Sequence, residues 1–449
     1  MAGFAETLRR GGVVGAGGAG FPTYMKLSAK AEFMIVNGAE CEPLLHKDQA
    51  LLARHPDLVL EGLRYAMSAT GAEKSLLAVK AKHAELVQSL NRILAGAEYV
   101  ELCTLPDAYP SGDEVVLIYE ALGRVVPPGA LPGKVGVLVD NVETLYNIAR
   151  ALHGAPVTDK FVTVTGRVRN PVTLKLPIGA PFTEALALAG GPLDREFRLL
   201  VDGPMMGTLA EDLAQPVTKT TSALIVLPVA HHLVMMKMRP LAQIVRTARS
   251  ACTSCTFCTE TCPRRLLGHP IQPHLIMRAI GYNALPEREK KYGEPLHQVY
   301  QNARYCVGCG TCNIVCPMGL QPRAVCAYIK GNLPPDKKSA SVDRTEPLSA
   351  REGRRMPTSR LYQRLGLEGF KDFHPAVEED AAQTVTRVHL PLRQGIGASS
   401  MPVVQPGQRV EKGEPVAEPP PDKLGVSLHA SIAGKVVRVT AEEVVIEKP

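Results

Sequence analysis

The chain has 449 residues, of which 45% are hydrophobic and 21% are charged, the balance of an ordinary globular protein with room for about three or four domains. Its net charge of +7 is spread out, only 5% of its residues are aromatic and none is Trp, so we expect no nucleic-acid binding, which needs basic clusters and stacking platforms. The longest apolar stretch, residues 223–230, is broken by Pro228 and is far shorter than the ~20 residues of a membrane span, and no secretory signal pattern is found, so we expect a cytoplasmic protein without a membrane span.

Residues 1–153 alternate short β-rich runs with helical stretches, which predicts a Rossmann-like α/β domain with a partly parallel sheet. The predicted strands are Phe33–Val36, Ser75–Val79 and Val135–Val139, and the predicted helices are Leu58–Thr70, His83–Ala95 and Asp113–Leu122.

A glycine-rich segment, residues 15–23, precedes the first predicted strand and is followed by Lys26. Glycines this dense allow backbone N–H groups to close on a phosphate, and a helix start would add its dipole. Taken alone, such a segment is about as often a flexible loop. Three polar segments accompany it, however: 37–43, directly after the first strand, then 109–114 and 140–144. Because α/β sheets bind ligands at the carboxyl ends of their strands, the four segments together predict a cofactor site at that edge.

Three further units follow the α/β domain. In residues 154–236, two strands with a turn between them, a helix at Thr183–Ala189 and further strands predict a small β-grasp-like domain. Residues 237–335 hold most of the cysteines and a helix predicted at His274–Ile280, which indicates a helical double ferredoxin-like domain. Residues 336–383, rich in Pro, Ser, Arg and Lys, are predicted to be a linker. Residues 384–449 have short β segments broken by Pro-Gly and Lys-Gly turns.

Eight of the eleven cysteines form one run twice, C-x2-C-x2-C-x3-C-P, the spacing that binds [4Fe–4S] clusters in bacterial ferredoxins. Zinc sites use pairs of cysteines or Cys/His sets instead, and disulfides suit small secreted chains, so both alternatives are weaker. The two runs predict two cluster sites. Because the fourth cysteine of such a run ligates the other run's cluster, we expect each site to take three cysteines from one run and one from the other. The first cluster site consists of Cys252, Cys255, Cys258 and Cys316, and the second cluster site consists of Cys306, Cys309, Cys312 and Cys262. Two clusters imply one-electron transfer.

The glycine-rich segment and its three companions resemble the FMN-binding domain that the flavoprotein subunit of respiratory complex I shares with the C subunit of Rnf-type ferredoxin:NAD oxidoreductases. In that family the glycine-rich loop holds the FMN phosphate and NADH stacks on the flavin. The resemblance implies FMN contacts for Gly15, Gly17, Gly18, Lys26, Asn37, Glu40, Gly112, Asp113, Asn141 and Thr144, and positions near the nicotinamide nucleotide for Phe21, Glu42, Tyr109 and Glu114. The sequence departs from the complex I pattern at Ala39 and Asp113, and its loop 126–131 lacks the Phe that helps to clamp adenine there.

The order of the units resembles the cobalamin reductases of propanediol-utilisation microcompartments. An Rnf C subunit is expected to carry a barrel-sandwich domain before its flavin domain, whereas here two segments similar to the halves of a lipoyl-like barrel sandwich come last. The resemblance implies a flavin domain, a β-grasp domain of the SLBB type, the double ferredoxin-like domain and a C-terminal barrel-sandwich hybrid.

The same resemblance implies an NADH-dependent enzyme that reduces cob(III)alamin to cob(II)alamin and cob(I)alamin through FMN and two [4Fe–4S] clusters, in order to recycle coenzyme B12 inside a bacterial microcompartment. The implied partners are cobalamin as acceptor, a cobalamin adenosyltransferase and an iron–sulfur shell protein. Two alternatives stay open at this point. One is an Rnf-C-like conduit that passes electrons to a partner protein without corrinoid chemistry. The other is a non-enzymatic scaffold, which the complete cysteine and flavin motifs disfavour.

Overall fold

A computed structural model describes residues 2–281, 294–333, 346–371 and 375–449. Residues 2–153 form a parallel four-stranded sheet of order β3-β2-β1-β5 with helices packed around it. Its helices are α1 (Ala2–Arg10), α2 (Thr23–Lys26), α3 (Lys47–Arg54), α4 (Pro56–Thr70), α5 (Ala84–Leu94), α6 (Glu114–Leu122) and α7 (Val142–Leu152), and its strands are β1 (Phe33–Asn37), β2 (Lys74–Lys80), β3 (Val100–Leu105), β4 (Ala108–Tyr109), which lies outside the sheet, and β5 (Val137–Asn141).

Helices α4 and α7 pack closely because α4 offers a glycine at the contact. A Cβ on Gly62 would lie 1.9 Å from the carbonyl oxygen of Leu145, so no larger residue fits there. Strands β1 and β5 are direct neighbours in register, with Asn37 opposite Asn141. The parallel pairing therefore brings the polar segments that follow these two strands to one edge of the sheet.

The second unit is a mixed sheet of order β12-β7-β6-β10-β8-β9, in which β6 and β10 are parallel and β6 and β7 are antiparallel. Strand β12 (Ala376–Glu378) comes from a later part of the chain. One hydrophobic cluster, which includes Phe182 and Leu186, packs a helix against it. The elements are β6 (Asp159–Gly166), β7 (Val172–Pro177), α8 (Phe182–Leu188), β8 (Phe197–Val201), β9 (Thr208–Leu209), β10 (Ala223–Pro228) and α9 (His232–Lys237).

The cysteine-bearing unit is helical in its described residues. Its core includes Ile276, Tyr300, Val325 and Ile329, all fully buried. Its helices are α10 (Leu241–Ala251), α11 (Phe257–Glu260), α12 (Pro263–Leu266), α13 (Pro273–Gly281), α14 (Glu294–Gln301), α15 (Thr311–Val315) and α16 (Pro322–Asn332). Part of the insert between the two cysteine runs, residues 282–293, lies outside the described residues.

The range predicted as a linker, 336–383, contains regular elements in its described part. These are α17 (Arg351–Arg354), β11 (Met356–Pro357), α18 (Thr358–Leu365) and β12 (Ala376–Glu378). Strand β11 pairs with β4 of the first unit, and β12 pairs with β7 of the second. The reason is an amphipathic pattern within an Arg-rich segment, since Leu361, Leu365 and Leu367 are buried. This segment therefore lies against the first and second units instead of only spanning them.

The C-terminal unit consists of two small antiparallel sheets, β13-β19-β18-β15 and β14-β16-β17. Its strands are β13 (Arg387–Pro391), β14 (Met401–Pro402), β15 (Arg409–Val410), β16 (Pro415–Glu418), β17 (Leu428–His429), β18 (Gly434–Val439) and β19 (Glu443–Glu447). The unit contacts the glycine-rich segment, because the Ile396 amide donates to the Ala19 carbonyl at 3.0 Å. Within the described ranges, no helix is both long enough and apolar enough to cross a membrane.

Candidate functional site

The glycine-rich segment folds as a closed loop beside the carboxyl ends of β1 and β5. The Gly15 amide donates to the Phe21 carbonyl at 2.9 Å, and the Ala16 amide donates to Oγ1 of Thr144 at 3.0 Å. A Cβ on Gly17 would lie 3.0 Å from the Asn141 side chain, whereas one on Gly18 would meet nothing within 4 Å. The loop therefore keeps backbone close to Asn141 and leaves open space over Gly18.

Lys26 lies at the end of α2 and points to the end of β5. Its Nζ lies 3.2 Å from Oδ1 of Asp140 and 3.5 Å from Oε1 of Glu114, and it donates to the Val139 carbonyl. Burial alone would lower the pKa of Lys26, but the two carboxylates outweigh it and the pKa is raised, so the ammonium stays charged. Burial raises the pKa of Glu114. A fixed positive charge thus stands beside the glycine-rich loop.

Two buried oxygens at this edge have no hydrogen-bond partner among the described residues: Oγ1 of Thr23, at the start of α2, and Oδ2 of Asp140. Buried polar groups in proteins are almost always paired, so these atoms indicate a group that the protein chain does not supply. Together with the open space at Gly18 and the charge of Lys26, they fit a bound molecule with a phosphate and several hydroxyl or amide groups, as FMN has.

Several of the expected FMN contacts act within the protein as turn and helix-capping residues. Asp113 accepts from the amides of Val115 and Val116 at the start of α6, and Asn141 accepts from the amide of Glu143 at the start of α7. Asn37 donates to the Gly112 carbonyl at 2.9 Å. The Asn37–Gly112 bond joins the segments 37–43 and 109–114, and Nδ2 of Asn141 donates to the Asn37 carbonyl at 3.5 Å, which joins 140–144 to them, so the edge of the sheet is preorganised.

Glu40 belongs to a buried network of charged groups whose other members were not among the expected site residues. Its carboxylate accepts from the Asp48 amide at 3.0 Å and from the Gln49 side chain at 3.0 Å. Burial, with the nearby charge of Asp48, raises the pKa of Glu40 to about 7. Asp48 in turn accepts from Nδ2 of Asn141 at 2.8 Å and from Nζ of Lys47 at 2.5 Å.

Glu143 extends this network into the β-grasp unit. It accepts from Lys47 at 3.1 Å, from Lys160 of β6, and from the Phe161 amide at 3.0 Å. Glu143 and both lysines are at most 2% exposed. Lys160 also donates to the Ala16 carbonyl at 3.4 Å, so a side chain of the β-grasp unit binds the glycine-rich loop.

Of the four residues expected near the nucleotide, two contact other units of the chain. Glu42 is buried and accepts from the amides of Met205 and Met206, both at 2.8 Å; burial raises its pKa to about 7. Tyr109 is 4% exposed, and its hydroxyl donates to the Cys309 carbonyl at 2.6 Å. Phe21, by contrast, is 40% exposed, and Glu114 lies beside Lys26.

The cysteines of the second cluster site surround one cavity. Cys262, Cys306, Cys309 and Cys312 line it together, and a further thiol, Cys326, lines it as well. In the described part of the chain no group of three or more His, Cys, Asp or Glu side chains is arranged to hold a single metal ion. The crossed arrangement, in which Cys262 joins the other run, is the one that the spacing predicts.

In the first cluster site, helix α11, which carries Cys258, packs against α15, which ends directly before Cys316. The two runs therefore approach each other here, as the crossed arrangement requires. Burial raises the pKa of Cys258 to about 12, and the nearby thiols of Cys316, Cys252 and Cys255 add to that rise. Cys255 is exposed whereas Cys258 and Cys316 are buried, so this site lies nearer the surface. Both thiol sets have the donor chemistry that iron–sulfur clusters need.

Two contacts join the flavin edge directly to the second cluster site. One is the Tyr109–Cys309 hydrogen bond. The other is an ion pair between Asp113 and Arg264, 2.9 Å apart, in which Arg264 follows Cys262 by two residues. The chain therefore holds the second cluster site next to the candidate FMN site.

The sequence offered a weak signal for some of the residues it missed. Lys47 and Asp48 follow the segment 37–43 closely, and Glu143 lies inside 140–144. Nothing local marks Lys160 or Arg264, because each acts only through a partner on another unit.

Four stretches of the chain match known domains. Residues 8–150 match the Nuo51 FMN-binding domain, 161–209 the SLBB domain, 251–321 the 4Fe-4S dicluster domain and 371–448 the RnfC Barrel sandwich hybrid domain. The expected fold class is confirmed: a multi-domain α/β protein with small modules in that order.

Relatives match over nearly the whole chain. Cobalamin reductase PduS of Salmonella typhimurium is 40% identical over 445 residues, which cover 98% of this chain and 95% of that protein. Cobalamin reductase PduS of Citrobacter freundii is 40% identical over 447 residues, with the same coverage of both chains. A partial match is the C subunit of the Na(+)-translocating ferredoxin:NAD(+) oxidoreductase complex of Acetobacterium woodii, 36% identical over 222 residues, 48% of this chain and 50% of that protein.

Proposed function

The chain belongs to the family of the cobalamin reductases PduS, and from that premise we propose that it is a flavin- and iron–sulfur-dependent oxidoreductase that reduces cobalamin with electrons from NADH. The observation that carries the proposal is the direct contact between the candidate FMN site and the second cluster site, through the Tyr109–Cys309 hydrogen bond and the Asp113–Arg264 ion pair. A donor of electron pairs and an acceptor of single electrons need such adjacent sites.

The cofactors supply the electron chemistry: a bound flavin accepts a hydride and can give up its electrons singly, and a [4Fe–4S] cluster carries one electron. The residues of this chain bind and orient. We assign phosphate binding to the backbone amides of Gly17 and Gly18, and charge neutralisation to Lys26. Gly15 contributes by closing the loop through its hydrogen bond to the Phe21 carbonyl. Asn37, Glu40, Gly112, Asp113, Asn141 and Thr144 form the remaining FMN contacts that we propose.

Phe21 and Glu114 are the proposed contacts to NADH, because one is exposed beside the glycine-rich loop and the other lies next to Lys26. Glu42 and Tyr109 form the wall between the flavin unit and its neighbours, and in the structure both are already engaged by other units. We therefore propose a positioning role for these two residues.

The overall reaction balances with two corrinoids for each nucleotide. NADH gives NAD⁺, one proton and two electrons, and each electron converts one cob(III)alamin to cob(II)alamin. A further electron for each corrinoid gives cob(I)alamin. Reduced corrinoid would be used by a cobalamin adenosyltransferase, and an iron–sulfur shell protein of a microcompartment is the second partner that we propose.

The test uses anaerobically purified protein. We expect it to contain flavin and about eight Fe per chain, and to form cob(II)alamin from aquocobalamin on addition of NADH. A protein whose flavin is reduced by NADH but which forms no cob(II)alamin would instead support the alternative, a conduit to a protein partner; the 36% identity to the Acetobacterium woodii protein is the observation that favours that alternative.

A further inference from the structure

A cavity of about 370 Å³ lies between the β-grasp unit and the helical unit. Ligand pockets in proteins typically start near this volume. Two residues, Gly310 and Arg323, line both this cavity and the one enclosed by the second cluster site. The wall between the two cavities is therefore a single layer of protein. We name this space the junction cavity.

The wall is held in place by specific hydrogen bonds. Arg323 donates to the carbonyls of Met205 and Met206, at 2.6 and 3.0 Å, the same two residues whose amides bind Glu42. The Arg323 amide donates to Oδ1 of Asn313 at 3.0 Å, and Asn313 follows the cluster ligand Cys312 directly. The junction cavity is thus rigidly connected to both the flavin unit and the cluster ligands.

The lining of the junction cavity suits an apolar molecule that carries a negative charge. Three cationic side chains line it, those of Lys237, Arg239 and Arg323, and no Asp or Glu is among its lining residues. Burial disfavours the charged form of Lys237 and lowers its pKa to about 8. A bound anion would stabilise that charged form. Most of the remaining lining side chains are apolar, and Leu241 among them is 40% exposed.

We propose that the junction cavity binds cobalamin by the edge that carries its nucleotide loop, and that the corrinoid receives its electron there. The single phosphodiester of that loop would meet Arg239 and Lys237, and its apolar base would lie against the Met and Leu side chains. The cavity is smaller than a whole cobalamin, so the corrin ring would lie at its mouth, close to the second cluster site. This inference rests on the proposed function, whose acceptor it locates.

The electron step at this site is balanced without another reagent. One electron from the donor side of the chain enters the cobalt of aquocob(III)alamin, cob(II)alamin forms, and the bound water leaves. No proton is needed at the corrinoid. The proton of the overall reaction is released where NADH is oxidised.

Binding of aquocobalamin to the full-length protein, measured by equilibrium dialysis, tests the proposal. Arg239→Ala should weaken binding by about tenfold or more, the effect of losing one charge-assisted hydrogen bond, and Arg239→Lys should restore part of it. Cobinamide lacks the phosphodiester, so its binding should not respond to Arg239→Ala. Ala327→Phe adds an aromatic ring from an exposed lining position and should block both corrinoids.

Matched controls separate local from general effects. Asn332→Phe adds the same ring to the exposed end of α16, outside the junction cavity. Arg198→Ala removes an arginine from a different cavity, one that also carries Glu196, Glu211 and Asp212. Neither control should change corrinoid binding, and reduction of the flavin by NADH should be normal in all variants.

The proposal is overturned if the wild-type protein reduces cobalamin while Ala327→Phe and Arg239→Ala bind and reduce it equally well. The proposed function fails separately, when the wild-type flavin is reduced by NADH and no cob(II)alamin forms. Loss of corrinoid binding in Ala327→Phe would support the junction cavity even then.

Discussion

Replacement of Glu143 by Gln tests the buried charge network beneath the glycine-rich loop. Glu143 is 1% exposed and is the shared partner of Lys47 and Lys160. Burial raises the pKa of Glu143, but the charges of Lys160 and Lys47 lower it by more. The net pKa is below its ordinary value, so the carboxyl is ionised in the folded protein. Gln keeps the shape and can still accept from the Phe161 amide. It removes the negative charge, however. Lys47 keeps Asp48 as its counter-charge, whereas Lys160, whose pKa burial already lowers to about 8, loses the carboxylate that pairs with it.

Breaking a buried ion pair by removing one partner costs about 3–5 kcal/mol. For a cooperative unit of 150–250 residues, each kcal/mol lowers the melting temperature by about 2–4 °C. We therefore expect Glu143→Gln to melt roughly 10 °C below wild type, and to lose flavin, because Lys160 and Thr144 both hold Ala16 of the glycine-rich loop. Thermal unfolding and flavin content are the measurements.

The control is Glu61→Gln, which removes the same charge from a surface pair with His153, where about 0–1 kcal/mol is expected. The double variant with Glu143→Gln and Lys160→Met also removes the lysine that Glu143→Gln leaves without its partner. The double variant should therefore lose less stability than the two single variants lose when their losses are added. A Glu143→Gln protein that melts within about 2 °C of wild type would refute the assignment of Glu143 as the central buried charge.

Three further predictions concern the cofactor sites and pH. Cys262→Ala should lower iron from about eight to about four per chain and remove the spectrum of the second cluster site; loss of the first cluster instead would mean that the runs do not cross. Gly17→Val should abolish flavin binding while iron is retained, because even a Cβ would lie 3.0 Å from Asn141; unchanged flavin content would place the phosphate elsewhere. Burial raises the pKa values of Glu40 and Glu42 to about 7, from 4.5 in the unfolded chain, so the folded protein binds more protons between these values and loses stability as the pH rises through that window. Urea unfolding from about pH 5 to about pH 8 should show a shallower loss in Glu40→Gln than in wild type, and equal slopes would contradict the raised pKa.

Three strands and three helices of the flavin unit were predicted from patterns in the sequence, whereas β3, α1, α2, α3 and α7 were not. Strand β1 and helix α6 begin within one residue of their predicted positions, and in the helical unit α13 extends its predicted range by one residue at each end. The third strand was predicted two residues too early, since residues 132–135 form a 3-10 turn that ends at Gly136 with a φ of 74°. Residue spacing predicts such helices and strands because the interactions that form them lie within a few residues of one another.

The contacts between units could not be predicted in this way. The carboxylate of Glu42 meets amides 163 and 164 residues away, and no periodicity contains that partner. The same is true of the range 336–383, whose composition predicts a linker. In its described part Leu361 and Leu365 of α18, and Leu367 just after it, are buried. Composition alone does not predict whether a segment is buried, because burial depends on the surface that the rest of the chain presents to that segment.

The arrangement of these contacts explains why one chain carries all the cofactor sites. The turn at Met205 and Met206 binds Glu42 through its amides and Arg323 through its carbonyls, so the flavin unit, the β-grasp unit and the cluster unit meet at two consecutive residues. Backbone groups held from both sides move little, because each shift would break charge-assisted hydrogen bonds on one side. The distance between the flavin edge and the second cluster site is therefore set by the fold itself. Since the junction cavity shares this turn and Arg323, its position relative to the clusters is fixed by the same bonds.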